Sequence, residues 1–304
     1  MREISLNFSD CPIQIERFFI SVLEKKYRLR RDDRPDFLVY ALTGQRHRLY
    51  TCTKIFVHHE TYLPNWSECD YAVLPIRIED PRHLYLPLYA FDRLPDPLIR
   101  GGEDWETIIR GKGRFCALLS NYADRTVARR VDFFHALNRR RKVDSPGRAL
   151  NNTGFRGIPG WRGKMDFYQN YRFVISYENK ACPGWITEKM YDPLAAHAIP
   201  IYWGPPDASE VFQPGCFIDA RNFSSPEALA DHVLALDADP GRYRQMLKTP
   251  PFYGNRPPEI FSHQRILEFF ERVFTDGRRP AAQRRWFFPL TKWRLVKRNK
   301  LPGE

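Results

Sequence analysis

The chain has 304 residues, 43% of them apolar and 14% aromatic, enough for one large core or two ordinary ones, which excludes a wholly disordered chain. Its formal net charge is +12, but residues 278–304 hold nine arginines and lysines against one Glu, so most of the excess sits in the tail and a nucleic-acid-binding reading of the whole chain loses its support. The six cysteines, Cys11, Cys52, Cys69, Cys116, Cys182 and Cys216, form no CxxC pair and no Cys/His cluster, which reads as reduced thiols without a zinc site.

Taken in order, "EISLNF" alternates like a short strand, and "IQIERFFISVLEKKY" puts Phe18, Phe19, Val22 and Leu23 on one broad helical face. "DFLVYAL", "KIFVHHE" and "YAVLPI" read as buried strands rich in Phe, Val and Ile. This strand–helix–strand order favours a parallel α/β sheet. Residues 92–112 mix Pro, Gly and charge and mark a domain boundary. Beyond it, "RFCALLSN" is a strand ending in Ser120-Asn121, and "TVARRVDFFHALNRR" a helix. "RFVISYEN" is a strand, "TEKMYDPLAAHA" a helix, "IPIYWG" and "CFIDARNF" strands, and "SPEALADHVLAL" a helix with a Ser-Pro start. The alternation predicts a doubly wound second domain. The opening "MREISLNFSD" has neither the basic start nor the apolar stretch of a signal peptide, and no run approaches the roughly 20 apolar residues that span a bilayer, so the expectation is a cytoplasmic protein.

The stretch "YENKACPGWITEKMYDPLAAHAIPIYWGPP" (177–206) concentrates polar groups at one strand–loop–helix junction. In doubly wound sheets ligands bind beyond the carboxyl ends of the strands, which is where Glu178 and Asn179 fall. Thr187 is placed to cap the next helix, leaving Glu188 and Lys189 in its first turn, where free N–H groups and the positive dipole end attract anions. Trp185 offers a flat face for a base or sugar. Each residue alone has an ordinary structural explanation; together they suggest a nucleotide-diphosphate site. Three other signals read as structural. "DAD" at 237–239 fits a helix cap better than a metal ligand pair. "HHE" at 58–60 lacks the second-turn histidine of an HExxH site. "RRRK" at 139–142 ends a helix, where cations suit the dipole.

"YEN", five residues, "GWITEKM" and then "AIPIYWGPP" resemble, in order and spacing, the signature of the α-1,3-fucosyltransferases of glycosyltransferase family ten, and the bacterial members that make Lewis-type antigens are the most similar. "SNYADRTVARRVDFFHALN" is similar to the family's Ser-Asn followed by a helix with a donor-phosphate arginine. The register from "FFHALN" puts Arg130 there, with Arg129 the competitor. "IFVHHETYLPNWSECDYAVLP" resembles the first-half pattern, which places Glu60 on the family's catalytic base. His59 stands where the family has Gly, and Trp185 where it usually has Tyr. "YLPLYAFDRL" resembles a further family segment. Coverage is roughly residues 1–275.

The resemblance implies a GT-B fold: two Rossmann-like domains facing a cleft. The boundaries would be an acceptor-side domain at 1–100, a linker at 101–112, a GDP-fucose-binding domain at 113–277 and a basic amphipathic tail at 278–304. It implies inverting transfer of L-fucose from GDP-β-L-fucose to an oligosaccharide acceptor, α-1,3 or α-1,4 to GlcNAc of an N-acetyllactosamine-type chain. Glu60 would be general base, because a carboxylate with the usual pKa of ~4.3 is ionised at neutral pH. Arg130 and Lys189 would meet the diphosphate and Glu188 the ribose, with Asn179, Glu178 and Trp185 also touching the donor. No cofactor and no metal are expected. A GT-B enzyme using another GDP-sugar and a non-catalytic nucleotide-sugar-binding homologue are the alternatives. The tail, with Trp286, Leu290 and Trp293 spaced for one helical face among its cations, suits an anionic membrane surface and suggests peripheral attachment at the cytoplasmic face.

Overall fold

The computed structural model describes residues 1–155 and 157–284. The chain divides into two compact units, one made of Met1–Arg93 with Glu259 onward, the other of Leu94–Pro258. Along the chain, the first unit contains β1 (Arg2–Ser9), α1 (Ile13–Leu23), β2 (Tyr27–Arg30), β3 (Phe37–Tyr40), β4 (Thr53–Val57), β5 (Tyr71–Leu74), β6 (His83–Tyr85) and the short α2 (Tyr89–Asp92). Its strands lie in the order β2-β1-β3-β4-β5-β6, all parallel. Ile55, Phe56 and Val57 of β4 are all buried, the unbroken apolar run of a strand covered on both faces. Helix α1 buries Ile15, Phe19, Val22 and Leu23, a spacing that keeps one face on the core. It stops at Leu23, short of the expected Tyr27, because the chain turns at Glu24–Lys26 and Tyr27 opens β2 instead.

The second unit contains α3 (Trp105–Gly111), β7 (Arg114–Ala117), α4 (Ala128–Asn138), β8 (Val143–Asp144), α5 (Gly160–Tyr168), β9 (Tyr171–Tyr177), α6 (Glu188–Ala195), β10 (Ile199–Trp203), β11 (Ile218–Asp219), α7 (Pro226–Asp237) and α8 (Pro240–Lys248). The order is β11-β10-β9-β7-β8, again parallel throughout. Alternate residues of β9 serve opposite faces. Phe173, Ile175 and Tyr177 pack with Phe133 of α4 and Val233 of α7, whereas Val174 packs with Tyr168 of α5. Each unit is thus a parallel, Rossmann-like α/β sheet, as the family resemblance implied.

The chain then returns to the first unit. Helix α9 (His263–Thr275) buries Ile266, Leu267, Phe269, Phe270, Val273 and Phe274 in the core that holds Phe19 and Tyr27. This corrects the expected boundaries. The break falls at Arg93/Leu94 rather than after residue 100, α3 inside the supposed linker belongs to the second unit, and residues 259–277 belong to the first. The reason is the apolar face of α9, whose Phe270 and Phe274 meet Phe19 and Tyr27 at ring distances of 5.5 and 5.2 Å. Beyond α9, α10 (Ala281–Arg284) is tied to the same unit: Ala281 N donates to Asp70 Oδ1 at 2.6 Å and Gln283 Nε2 to the Thr51 carbonyl at 2.9 Å. Most of the basic tail, Trp286, Leu290 and Trp293 included, lies outside the described residues. Among the described residues no helix is long and apolar enough to cross a membrane.

Candidate functional site

In the second unit β7 and β9 are neighbours, but the crossover after β7 leads to β8 on one side and that after β9 to β10 on the other. Such a switch point opens a crevice beyond the carboxyl ends of the two strands. Three segments meet there. Arg130, the third residue of α4, donates from Nη1 to Ser120 Oγ at 3.1 Å, and from Nη2 to Asn179 Oδ1 at 2.7 Å and to the Tyr177 carbonyl. It is 4% exposed. Burial pulls its pKa below the ordinary arginine value, against the opposing pull of Glu178 and Glu188. Ser120 is held from behind: a Cβ on Gly147 would stand 2.1 Å from the Ser120 carbonyl oxygen, so the neighbouring loop must carry glycine at that position.

The start of α6 is built around one buried carboxylate. Glu178 accepts from Thr187 N at 2.8 Å, from Thr187 Oγ1 at 2.8 Å, from Lys189 Nζ at 3.2 Å and from Tyr202 Oη at 3.3 Å. Thr187 in turn caps α6, its Oγ1 accepting from Lys189 N at 3.3 Å. Burial raises the Glu178 pKa, and Lys189 opposes that rise. Lys189 also stands 3.6 Å from Glu188 Oε1. Burial pushes Lys189 down, but Glu178 and Glu188 outweigh it and leave its pKa above the usual lysine value. Glu188 is pushed up by burial and held below the usual range by Lys189 and Lys164. The side chains of Glu188 and Lys189 remain 28% exposed at the helix N-terminus, where backbone N–H groups and dipole add to the lysine charge.

Of the residues expected at a donor site, Arg130, Asn179, Glu178, Glu188 and Lys189 therefore come together, and Asn179 is exposed. Two are placed otherwise than expected. Trp185 is 5% exposed and presents no open face. Gly184, at φ +79°, and Asp207, which accepts from Gly184 N at 2.9 Å, bend the loop so that Trp185 and Ile186 turn inward. The Glu178 side chain has no exposure at all, because its oxygens are taken up by the donors of the helix start. It organises the site from beneath. The half-buried aromatic at this rim is Trp203, at the end of β10, which sequence reading passed over. Its pairing opposite Tyr177 across β9 and β10 is the signal that would have found it. Also missed was Asp192, one turn after Glu188 on α6 and 1% exposed, which receives Lys164 Nζ at 2.9 Å and Trp161 Nε1 at 3.2 Å.

In the first unit Glu60 is exposed, three residues beyond β4. Its backbone N–H donates to His58 Nδ1 at 2.9 Å, which puts the proton of the neutral ring on Nε2. Burial, with His59 nearby, lowers the His58 pKa to about 4. The strand ends at Val57, so "HHE" is a turn and not a strand face. Among the described residues no three His, Cys, Asp or Glu side chains converge as metal ligands. "DAD" is accounted for: Asp239 caps α8 by accepting from Arg242 N at 3.0 Å, and Asp237 pairs with Arg172 Nε at 2.8 Å and with Arg141. In "RRRK", Arg140 pairs with Asp231 and Lys142 with Asp144. All six cysteines are free.

Residues 110–259 match the C-terminal region of glycosyltransferase family 10 (fucosyltransferase), and residues 5–92 match the N-terminal domain of alpha-(1,3)-fucosyltransferase FucT. The chain belongs to glycosyltransferase family 10. Alpha-(1,3)-fucosyltransferase FucT of Helicobacter pylori is 25% identical to this family 10 chain over 73% of it and 53% of the relative. Alpha-(1,3)-fucosyltransferase C of Drosophila melanogaster is 30% identical over 44% of it and 31% of the relative. The chain thus spans about half the length of the first relative and a third of the second. A crystal structure of an alpha1,3-fucosyltransferase with GDP-fucose shares the fold, with a TM-score of 0.73 at 21% identity, covering 91% of this chain and 92% of that one.

Proposed function

We propose that this family 10 chain transfers L-fucose from GDP-β-L-fucose to a glycan hydroxyl with inversion, an N-acetyllactosamine-type chain being the acceptor and the new bond α-1,3 or α-1,4 to GlcNAc. The observation that carries the reading is the start of α6, where the half-buried Lys189 and Glu188 stand beside the Arg130–Asn179 junction at the switch point of the second unit. In this reading the acceptor oxygen attacks the anomeric carbon, its proton passes to the Glu60 carboxylate, and the bond to the β-phosphate oxygen breaks with its electron pair left on GDP. Lys189 and the N-terminus of α6 stabilise that growing charge. Glu188 accepts hydrogen bonds from ribose hydroxyls, and arginine and lysine charge serves the diphosphate without a metal or cofactor. The basic tail holds the protein at an anionic membrane surface on the cytoplasmic side, each cation near it contributing about 1 kcal/mol.

Release of GDP from GDP-fucose in the presence of N-acetyllactosamine tests the reading, with GDP-mannose run in parallel. Acceptor-dependent release from GDP-fucose alone supports it. Release from the other sugar instead means a different GDP-sugar transferase, and binding without release means a non-catalytic homologue. Glu60→Gln should keep GDP affinity and lower turnover by ~10²–10⁴-fold, the range of a general base; turnover near that of the unmodified chain would remove Glu60 from the mechanism.

A further inference from the structure

Glu60 and Tyr62 are both exposed in the turn that follows β4, while Thr61 between them is buried. Tyr62 N donates to the Glu60 carbonyl at 2.8 Å and closes the turn. A carboxylate and a phenol ring therefore leave the chain within about 7 Å of each other, the reach of two residues. Strand β4 lies inside the sheet, between β3 and β5, and ligands of such sheets sit beyond the carboxyl ends of the strands. His58 serves both residues. Its Nδ1 accepts from Glu60 N at 2.9 Å, and its ring packs on the Tyr62 ring at 4.5 Å and 62°. With its pKa lowered to about 4 the imidazole is neutral at working pH, so Nδ1 keeps the lone pair that this bond needs. Behind His58 stands Phe56 at 5.9 Å, then Tyr40 at 5.4 Å, which stacks on His47 at 4.2 Å and 16°. Phe56, Tyr40 and His47 are buried. On the other side His59 packs on Phe91 of α2 at 5.0 Å. A row of rings thus runs from the core of the first unit to the surface and ends in Tyr62, beside the carboxylate.

We infer that Tyr62 is the platform on which a pyranose ring of the acceptor rests, and that His58 is the positioning residue that holds this platform and the Glu60 carboxylate in register. The inference rests on the reading of Glu60 as general base. A pyranose has a face of C–H bonds and an edge of hydroxyls. Tyr62 offers the matching pair, an apolar ring face and a polar tip, on a side chain with only two torsions to fix. With the C–H face on the ring, a hydroxyl at the sugar's edge reaches the neighbouring carboxylate. The bond to Glu60 N and the contact with the Tyr62 ring come from the same imidazole, so the spacing of base and platform is set before the acceptor arrives.

Transfer from GDP-fucose to N-acetyllactosamine by the full chain tests this, with Tyr62→Ala, Tyr62→Phe, His58→Leu, His58→Asn and Glu60→Gln. Tyr62→Ala should raise the acceptor KM by about ten- to fiftyfold, the scale of losing one aromatic contact and its buried area, and keep kcat within about threefold. Its GDP affinity by calorimetry and its melting temperature should match those of the unmodified chain, and Tyr62→Phe should recover most of the loss. His58→Leu should lower kcat and raise the acceptor KM together. His58→Asn supplies an oxygen to Glu60 N–H but no ring, so it should restore kcat and leave the KM high. An unchanged acceptor KM in Tyr62→Ala, with turnover lost in Glu60→Gln, overturns the inference alone, and so does a fall in the GDP affinity of Tyr62→Ala. His58→Asn as poor as His58→Leu in both constants overturns the positioning role. Turnover kept in Glu60→Gln, or no transfer by the unmodified chain, brings down the reading on which the inference rests.

Discussion

Lys189 touches both Glu178 and Glu188, so its removal does two things. A cation leaves the nucleotide site, and the buried Glu178 carboxylate loses the charged donor that stands 3.2 Å from it. Lys189→Ala should weaken GDP binding by a few kcal/mol in a titration and lower the melting temperature as well. Arg130→Ala should act mainly through stability, by about 2 kcal/mol or more, because three oxygen acceptors lose their donor. Lys112 offers a pH test. Its Nζ donates to the Ala196 carbonyl at 2.8 Å, just past the end of α6, and burial with Arg100 nearby lowers its pKa to about 7. Between pH 7 and the unfolded value near 10.5 the unfolded chain holds the proton and the folded chain does not. That difference raises stability with pH by at most about 1.4 kcal/mol per unit, and the gain disappears below pH 7. Lys112→Met should abolish this part of the slope between pH 7 and 9 in denaturant titrations; an unchanged slope would show that Lys112 keeps its proton.

At the scale of elements, α6 shows how one sequence run makes both a fold and a site. Thr187→Val removes the cap and one of the donors to Glu178, so it should cost more than the ~1 kcal/mol of an ordinary cap and should weaken GDP binding along with stability. In α9, Phe270→Ala should cost about 3–5 kcal/mol, the range for emptying a buried phenyl site, and chemical denaturation of the first unit would report it. These two elements also mark what the amino-acid sequence discloses. The β9–α6 junction is readable because its polar residues are contiguous and its cap and strand end are local signals. The inward turn of Trp185 is not, since it depends on a positive φ at Gly184 and on Asp207 from another segment. Short, charged β2 ("YRLR") and two-residue β8 have no apolar period to announce them. Helix α9 has an apolar face, but the core it joins is a tertiary fact that no local pattern contains.

At the scale of the whole molecule, residues 276–284 belong to the body of the first unit. Tyr71 bonds Asp276, and Asp70 accepts from Ala281 N. A test of the basic tail should therefore cut after Arg284, beyond the residues that pack into the first unit. The full chain should pellet with anionic liposomes at low salt and release at high salt, and the chain ending at Arg284 should stay in solution while keeping GDP affinity. Equal pelleting of the two would take the tail out of membrane attachment. A chain ending at Pro258 should fare differently: without α9 the first unit exposes the rings of Phe19 and Tyr27, and it should aggregate or lose its cooperative transition.

The return of α9 also sets a timetable for biogenesis. Arg2 bonds the carbonyl of Phe274 across 272 positions, and the core around β1 stays open until that helix has left the ribosome. The middle segment draws no strand from the first 93 residues and can fold while they wait for the helix that completes their core. Closing so long a loop is slow, and the waiting surface is the kind that chaperones bind. Pulse-labelled ribosome-bound chains should show the central unit resistant to protease well before the amino-terminal strands become so.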